Sequence, residues 1–383
     1  METVFWILVV IILYSLGGYG LLWIALSRLW SLQPAIPPVD PLRVTMLIAA
    51  RNEEASIAEK IRSVLSENVG GHVLDILVIS DASEDRTLEE ANKIGSPRVC
   101  AYQLPFHEGK AGALNEGIRR LDCDVVIFSD ANSIVKPGSL GKLLRHFGDP
   151  AVGGVSGQPG TAERRGGWLA RAERLFWHYD GVLKAAESRI AGAVSAQGSL
   201  YAIRRSLVPY PVARDIADDL YISLTAISAG RRLVFEPGAV AVEPVTGQTR
   251  GEFMRRVRST ERGWRGILAM PRLLNPFSHG FYSIQLFSHK VLRRVVAFLL
   301  PLLLIASLAL APRSPFYAAF AAAQLIFYAI GALVLILPRG RKVPGGSVAA
   351  FFLLGHLAMA YGIMRASAGI RSSRWSPLRE PGT

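Results

Sequence analysis

Val44–Glu54 reads VTMLIAARNEE. Its first seven residues form an apolar run of strand length, which stops abruptly at Arg51, Asn52 and Glu53. From Glu53 to Leu65 the apolar residues are Ala55, Ile57, Ala58, Ile61, Val64 and Leu65, which is helical spacing. The alternation then repeats. Asp75–Ser80 predicts a second strand and Asp85–Lys93 a short helix. Arg98–Gln103 predicts a third strand, Ala111–Leu121 a helix and Val125–Ser129 a fourth strand. Strand–helix alternation of this kind implies an α/β fold, a mostly parallel sheet covered by helices. In such sheets ligands gather at the carboxyl ends of the strands. Arg51, Asn52 and Glu53 lie at the first such end, Asp81 at the second, Asp130 and Asn132 at the fourth.

The chemistry of these residues leaves readings open. Asp81 can accept hydrogen bonds from a ribose or base, or close an Asx-turn. Lys110, in HEGKAGALNEGI, can meet a phosphate at a helix start or point into solvent. Asp130 and Asn132 offer two oxygen ligands one residue apart, suited to a hard cation, or a turn. Asp218 and Asp219 precede an apolar helical stretch, where one serves as N-cap and the other as a general base. Asp218 is the better cap, which leaves Asp219 free. Arg258, Arg262 and Trp264, in the arginine-rich stretch 251–266, can hold a diphosphate or an acceptor sugar, or lie on a membrane surface. No GxGxxG follows the first strand and no GxxxxGK[ST] occurs, which argues against dinucleotide oxidoreductases and P-loop ATPases.

Half of all residues are hydrophobic and 19% are charged, too apolar a balance for an ordinary soluble domain. Val4–Leu26 carries no charge, and a helix of that length rises about 34 Å, enough to cross a hydrocarbon core of about 30 Å. It reads as a retained anchor, since no basic region precedes it. Val295–Pro312, Phe316–Leu337 and Ser347–Met364 are further apolar segments. The net charge of +13 is placed largely beside these segments, at Arg28, Lys290, Arg293, Arg294, Arg339, Arg341 and Lys342. That placement accounts for the basicity without nucleic acid and puts the large middle portion in the cytoplasm. Two cysteines, Cys100 and Cys123, form neither a disulfide framework nor a CxxC knuckle. The chain divides into an anchor (1–28), a proline-rich linker (29–42), a catalytic domain (43–270), an amphipathic interfacial region (271–294), two or three spans (295–366) and a tail (367–383).

Taken together, AARNEE (49–54), SDASEDRT (80–87), GKAGALNEG (109–117), SDANS (129–133), GSLYAIRR (198–205) and ADDLYISL (217–224) resemble the family 2 inverting glycosyltransferases. The similarity is to membrane-embedded members such as cellulose, hyaluronan and poly-N-acetylglucosamine synthases, over about residues 42–290. The resemblance implies a GT-A-type nucleotide-sugar-binding domain. Ala50, Arg51 and Glu53 would line the nucleotide pocket, with Asp81 near the base or ribose and Lys110 near the nucleotide. Asp130 matches the first aspartate of the metal-binding Asp-x-Asp motif, and Asp219 the aspartate that acts as general base. The sequence departs at Asn132, which replaces the second metal aspartate, at Asp218, which replaces a glutamate, and in lacking a clean Gln-x-x-Arg-Trp motif.

The reaction implied is an inverting displacement assisted by a divalent cation, Mg²⁺ or Mn²⁺. A nucleotide-sugar donor serves a glycan or lipid-linked acceptor at the plasma membrane. A polymer path would draw on the spans, with a homo-oligomer or an export partner. The rival readings are single-sugar transfer to a lipid, a nucleotidyltransferase, and a non-catalytic membrane scaffold.

Overall fold

The structure is a computed structural model that describes residues 1–30, 36–161, 168–243, 249–337 and 345–371. Parts of the expected linker (31–35) and tail (372–383) lie outside these residues. The chain opens with helices α1 (Glu2–Leu13) and α2 (Tyr19–Leu29), continuous through a π-helical turn at Tyr14–Gly18. Strand β1 (Arg43–Ala50), helix α3 (Ile57–Leu65), β2 (Val73–Ser80), α4 (Thr87–Asn92), β3 (Val99–Gln103), α5 (Lys110–Arg120) and β4 (Val125–Phe128) follow. Then come β5 (Ile134–Val135), α6 (Ser139–Leu144), β6 (Val152–Thr161), α7 (Trp168–Ile190), β7 (Tyr201–Arg204), α8 (Asp218–Ser228), β8 (Arg232–Glu243) and α9 (Thr249–Ala269).

The strands form one sheet in the order β3-β2-β1-β4-β7-β6-β8-β5. Strands β3, β2, β1 and β4 are all parallel, as helical crossovers require. Strand β7 runs antiparallel to both β4 and β6, and β6 pairs parallel with β8. The sheet is therefore mixed, with the legible half parallel. Alternation explains the unbroken apolar run of β1. Leu47 and Ala49 enter one core with Leu77, Phe128 and Ile203, while Val44, Met46, Ile48 and Ala50 enter the other with Val78 and Ile127.

After α9 come α10 (Pro276–His279), α11 (Phe281–Leu286), α12 (Arg293–Leu310), α13 (Pro315–Ile336) and α14 (Gly346–Ser367). Among the described residues, four helical stretches are long and apolar enough to cross a membrane: Glu2–Leu29, Phe281–Arg313, Pro315–Ile336 and Gly346–Ser367. Phe5, Leu8 and Ile12 of α1 pack on Val296, Leu303 and Leu310 of α12. Two close approaches tie these helices to the sheet domain. A Cβ on Gly20 would stand 2.1 Å from the Tyr179 hydroxyl of α7, and one on Gly362 2.8 Å from the Val257 carbonyl of α9. Arg365 of α14 pairs with the fully buried Glu261 of α9 at 2.9 Å.

The stretch 271–294, expected to be amphipathic and interfacial, runs into a membrane-length helix. A π-helical turn at Phe287–Leu292 joins α11 directly to α12, so the segment from Phe281 belongs to a membrane-length helix. The reason is polar packing. Tyr282 donates to the Val194 carbonyl at 2.8 Å and Gln285 to the Glu187 carbonyl at 3.1 Å, which draws the first turns onto the sheet domain. Phe277, Phe281 and Phe287 face outward.

Candidate active site

The turn after β4 carries Ser129, Asp130, Ala131, Asn132 and Ser133. It rests on Lys60 of α3, a fully buried lysine whose ammonium donates to Ser129 Oγ and the Ser133 carbonyl, each at 2.5 Å. Burial lowers the Lys60 ammonium to about 7, against the pull of Asp130 and Glu243. Asp130 and Asn132 project from this support half-buried.

Lys110, first residue of α5, draws the strand ends together. Its ammonium reaches Asp130 at 2.7 Å and Asp218 at 2.9 Å. Burial opposes its charge, but Asp130 and Asp218 more than offset this and hold the ammonium well above its ordinary value. The same contact corrects the expected cap of α8. Ala217 occupies the cap position without a side-chain bond, and Asp218 is already helical. Its carboxylate is taken by Lys110 instead. Burial works against the Asp218 charge, yet Lys110 and Arg262 outweigh it and lower its pKa. Asp219 differs. It accepts from the Leu220 N–H at 2.8 Å, and its carboxyl is raised by burial and then by the neighbouring Asp218 charge. Between the two acids runs Gly198. A Cβ there would lie 3.4 Å from Asp130 Oδ2 and 3.7 Å from Asp219 Oδ2, so a larger side chain would enter the gap between them.

Asp81 is fully buried and faces the loop before Lys110. It accepts from Glu108 N (2.8 Å) and Gly109 N (2.9 Å) and lies 2.7 Å from His107 Nδ1. In this arrangement it aims Lys110 through the loop. Gly109, with φ of +80°, makes the turn into α5 that these bonds require. Arg51 donates to the Asp81 carbonyl at 2.7 Å, the Ala50 carbonyl accepts from Asp81 N at 2.8 Å, and Glu53 accepts from Ser56 Oγ at 2.7 Å. Asn52 (φ +52°) and Ala82 (φ +49°) take left-handed conformations at the ends of the adjacent strands β1 and β2. For alanine this costs roughly 1–3 kcal/mol, a strain typical of binding sites.

Arg262 is close to the site but turned to the backbone. Its guanidinium donates to the Ile216 carbonyl at 2.7 Å and so holds the entry to α8. Arg258 and Trp264, both half-buried, lie on the same helix, α9. The pKa of Arg258 is lowered by burial and then by Arg262 and Arg255.

Sequence reasoning passed over Lys60, Gly198, Tyr201 and Glu243. The Tyr201 hydroxyl is buried without a hydrogen-bond partner, and its ring stacks on Phe128 at 4.9 Å. Burial, then Asp218, Asp219 and Asp130, push its pKa well up, which keeps it a proton donor. Glu243, at the end of β8, accepts from Ser133 Oγ at 3.1 Å and is raised to about 7 by burial and then by Asp130. The signal available for Tyr201 was its place in GSLYAIRR. Lys60 had none, because a lysine in a helical period reads as solvated.

Among the described residues no group of three His, Cys, Asp or Glu side chains stands ready to hold a metal. That still suits Mg²⁺ or Mn²⁺, which commonly takes one or two carboxylates and completes its shell with water and substrate phosphates. Asp130, with Asn132 beside it, is a donor set of this kind.

Residues 45–208 match the family described as Glycosyl transferase family 2. The match runs from β1 to β7 of the sheet domain. Among similar curated proteins, an N-acetylglucosaminyltransferase of Azorhizobium caulinodans is 28% identical over 220 residues, 53% of this chain and 55% of its own length. A poly-beta-1,6-N-acetyl-D-glucosamine synthase of Staphylococcus aureus is 28% identical over 238 residues, 60% of this chain and 57% of its own. The chain thus spans little more than half the length of these relatives. A mannosyltransferase of Pyrobaculum calidifontis, solved in complex with GDP-Man and Mn²⁺, has a TM-score of 0.71 at 22% identity. The match covers 95% of this chain and 99% of that one, so the sheet domain and its apolar helices share that GT-A-like fold.

Proposed function

We propose that the chain is a membrane glycosyltransferase that moves one sugar from a nucleotide-sugar donor to a hydroxyl of a glycan or lipid-linked acceptor, with inversion. The observation that carries this reading is the meeting of Lys110, Asp130, Asp218 and Asp219 around Gly198. Asp219, whose carboxyl is raised by burial and by the Asp218 charge, is suited to take the proton of the acceptor hydroxyl. The acceptor oxygen forms a bond to the anomeric carbon as the bond from that carbon to the diphosphate breaks. The electron pair leaves with the nucleoside diphosphate, and the acceptor proton passes to Asp219. Lys110 supplies a positive charge beside the diphosphate. A bound Mg²⁺ or Mn²⁺, held by Asp130 with Asn132, would neutralise charge on the leaving group. Ala50, Arg51 and Glu53 form the nucleotide side of the site, with Asp81 behind Lys110. Arg262 holds α8, while Arg258 and Trp264 flank the acceptor side.

The basic residues beside the apolar helices favour a cytoplasmic catalytic domain in the plasma membrane. A cysteine introduced at Glu90 should resist impermeant reagents applied to intact cells. Ready labelling would reverse the orientation.

The names of the relatives put N-acetylglucosamine nucleotides first in a donor screen. Purified full chain in nanodiscs, with product mass analysis, should give a glycosylated product and a nucleoside diphosphate. Release of pyrophosphate would mark a nucleotidyltransferase, and absence of turnover with every donor would mark a scaffold. A ladder of products would indicate a polymerising enzyme that works with other copies or an export partner. A single product would indicate one-sugar transfer.

A further inference from the structure

Strand β7 sets Tyr201 opposite Phe128, the last residue of β4 before the turn that carries Asp130. The side chain enters the core that α8 covers, with Leu220, Ile222 and Leu224. Its ring is fixed there by the stack on Phe128, the two planes 15° apart. The hydroxyl is not fixed. Tyr201 is 1% exposed, and its hydroxyl has no hydrogen-bond partner among the described residues. A buried donor without an acceptor costs free energy, which a second state of the site can recover.

Asp218 offers that second state. After burial, its charge is the largest influence on the Tyr201 hydroxyl, ahead of Asp219 and Asp130. Asp218 opens α8, two residues before the Leu220 that shares the core of Tyr201. Its carboxylate is neutralised by Lys110 at 2.9 Å, and the same ammonium reaches Asp130 at 2.7 Å. A nucleotide diphosphate with its cation competes for both ends of this bridge. The cation draws on Asp130 and the diphosphate draws on the ammonium. Once Lys110 turns to the diphosphate, the Asp218 side chain, 10% exposed, holds an unmatched charge. Arg262, the next cation acting on Asp218, already gives its N–H groups to the Ile216 carbonyl. Asp219 keeps the Leu220 N–H whether or not Lys110 moves.

We propose that Tyr201 is the reserve partner of Asp218: when the diphosphate takes Lys110, the Tyr201 hydroxyl donates to the Asp218 carboxylate and holds the start of α8, with Asp219 on it, in place. The proposal rests on the glycosyltransferase reading and adds a positioning residue to it. Lys110 then serves in turn as the lock of the empty site and the clamp of the donor. Tyr201 touches neither the sugar nor the cation.

Tyr201→Phe removes the hydroxyl and keeps the ring. Two measurements on the full chain in nanodiscs read its effect. The first is thermal unfolding without ligand. Lys110→Met takes the ammonium away for good, so the hydroxyl should already be engaged in that variant. Tyr201→Phe should leave the midpoint of the otherwise wild-type chain unchanged or raise it, and should lower that of Lys110→Met by roughly 2–4 °C. Equal shifts in both backgrounds would make Tyr201 a packing residue and overturn the proposal. The second is calorimetry with UDP and GDP, each with Mn²⁺, the tighter of the two carrying the comparison. Tyr201→Phe should weaken that nucleotide roughly tenfold, equivalent to about 1.4 kcal/mol. The loss should largely vanish in an Asp218→Asn background, where no charge is stranded. Undiminished affinity in Tyr201→Phe would overturn the proposal. So would a loss that persists in Asp218→Asn, which assigns the hydroxyl to Asp219 or Asp130. Absence of binding by both nucleotides to the wild-type chain would count against the glycosyltransferase reading, and the Lys110→Met series would still decide the role of Tyr201.

Discussion

Two clusters of carboxylates are drawn into this molecule, and their surroundings differ. At the strand ends, Lys110 is shared between Asp130 and Asp218, while Asp219 accepts from the Leu220 N–H beside it. Between α7 and the first membrane-length helices, Glu187 accepts from the Tyr19 hydroxyl at 2.5 Å and lies 2.8 Å from His289 Nδ1. Asp180 there is 3.3 Å from both Lys184 and His289. Glu187 and Asp180 are buried at 0% and 5% exposure, whereas the Asp130 side chain is 35% exposed. The second cluster is closed by burial, with Glu187 Oε2 left without a hydrogen-bond partner, and joins helix to domain. The first is open and left with a carboxyl raised in pKa, the condition expected of a group that handles protons.

The comparison breaks first at Asp219. Asp219→Asn should fold, bind donor and lose roughly 10²–10⁴-fold in turnover, the usual range for positioned acid–base catalysis. Turnover and donor affinity in one membrane preparation measure this, and near-wild-type turnover would move the base elsewhere. In the closed cluster the large effect should be on stability. Glu187→Ala strands Tyr19 and His289 and should cost about 3–5 kcal/mol, the range for removing one member of a buried pair. Thermal unfolding in detergent reads the loss, while the turnover of surviving enzyme stays close to normal. A collapse of turnover without destabilisation would erase the distinction between the clusters.

A smaller effect sharpens it. The Asp218 charge raises the Asp219 carboxyl, so its removal in Asp218→Asn should lower that pKa. Since the base works deprotonated, the acid limb of the pH–rate profile should shift to lower pH. A shift to higher pH, or none, would uncouple the pair.

The two clusters also mark what could be read from the sequence. The parallel half of the sheet was legible because β1, β2 and β4 are apolar runs ending in polar residues, each with a helix near it. Asp130, Lys110 and Asp219 were legible because strand ends and motif spacing single them out. The antiparallel half was not, since β7 reaches its neighbours only after the long helix α7. The cap assigned to Asp218 failed because a lysine from another segment, Lys110, outcompetes backbone N–H groups for its carboxylate. The closed cluster gave no signal at all. Tyr19, Glu187 and His289 are separated by 168 and 102 residues along the chain, and each alone reads as an ordinary polar residue on a helix.

The central claim is that the open cluster is where a divalent cation and the donor diphosphate meet. Its most direct test is the binding of nucleotide sugar as a function of added Mn²⁺, measured by calorimetry on wild type, Asp130→Ala and Glu187→Gln in nanodiscs. The account predicts cation-dependent donor binding in wild type and Glu187→Gln, and its loss in Asp130→Ala. Cation-dependent binding that survives in Asp130→Ala, or disappears in Glu187→Gln with the fold intact, would contradict it.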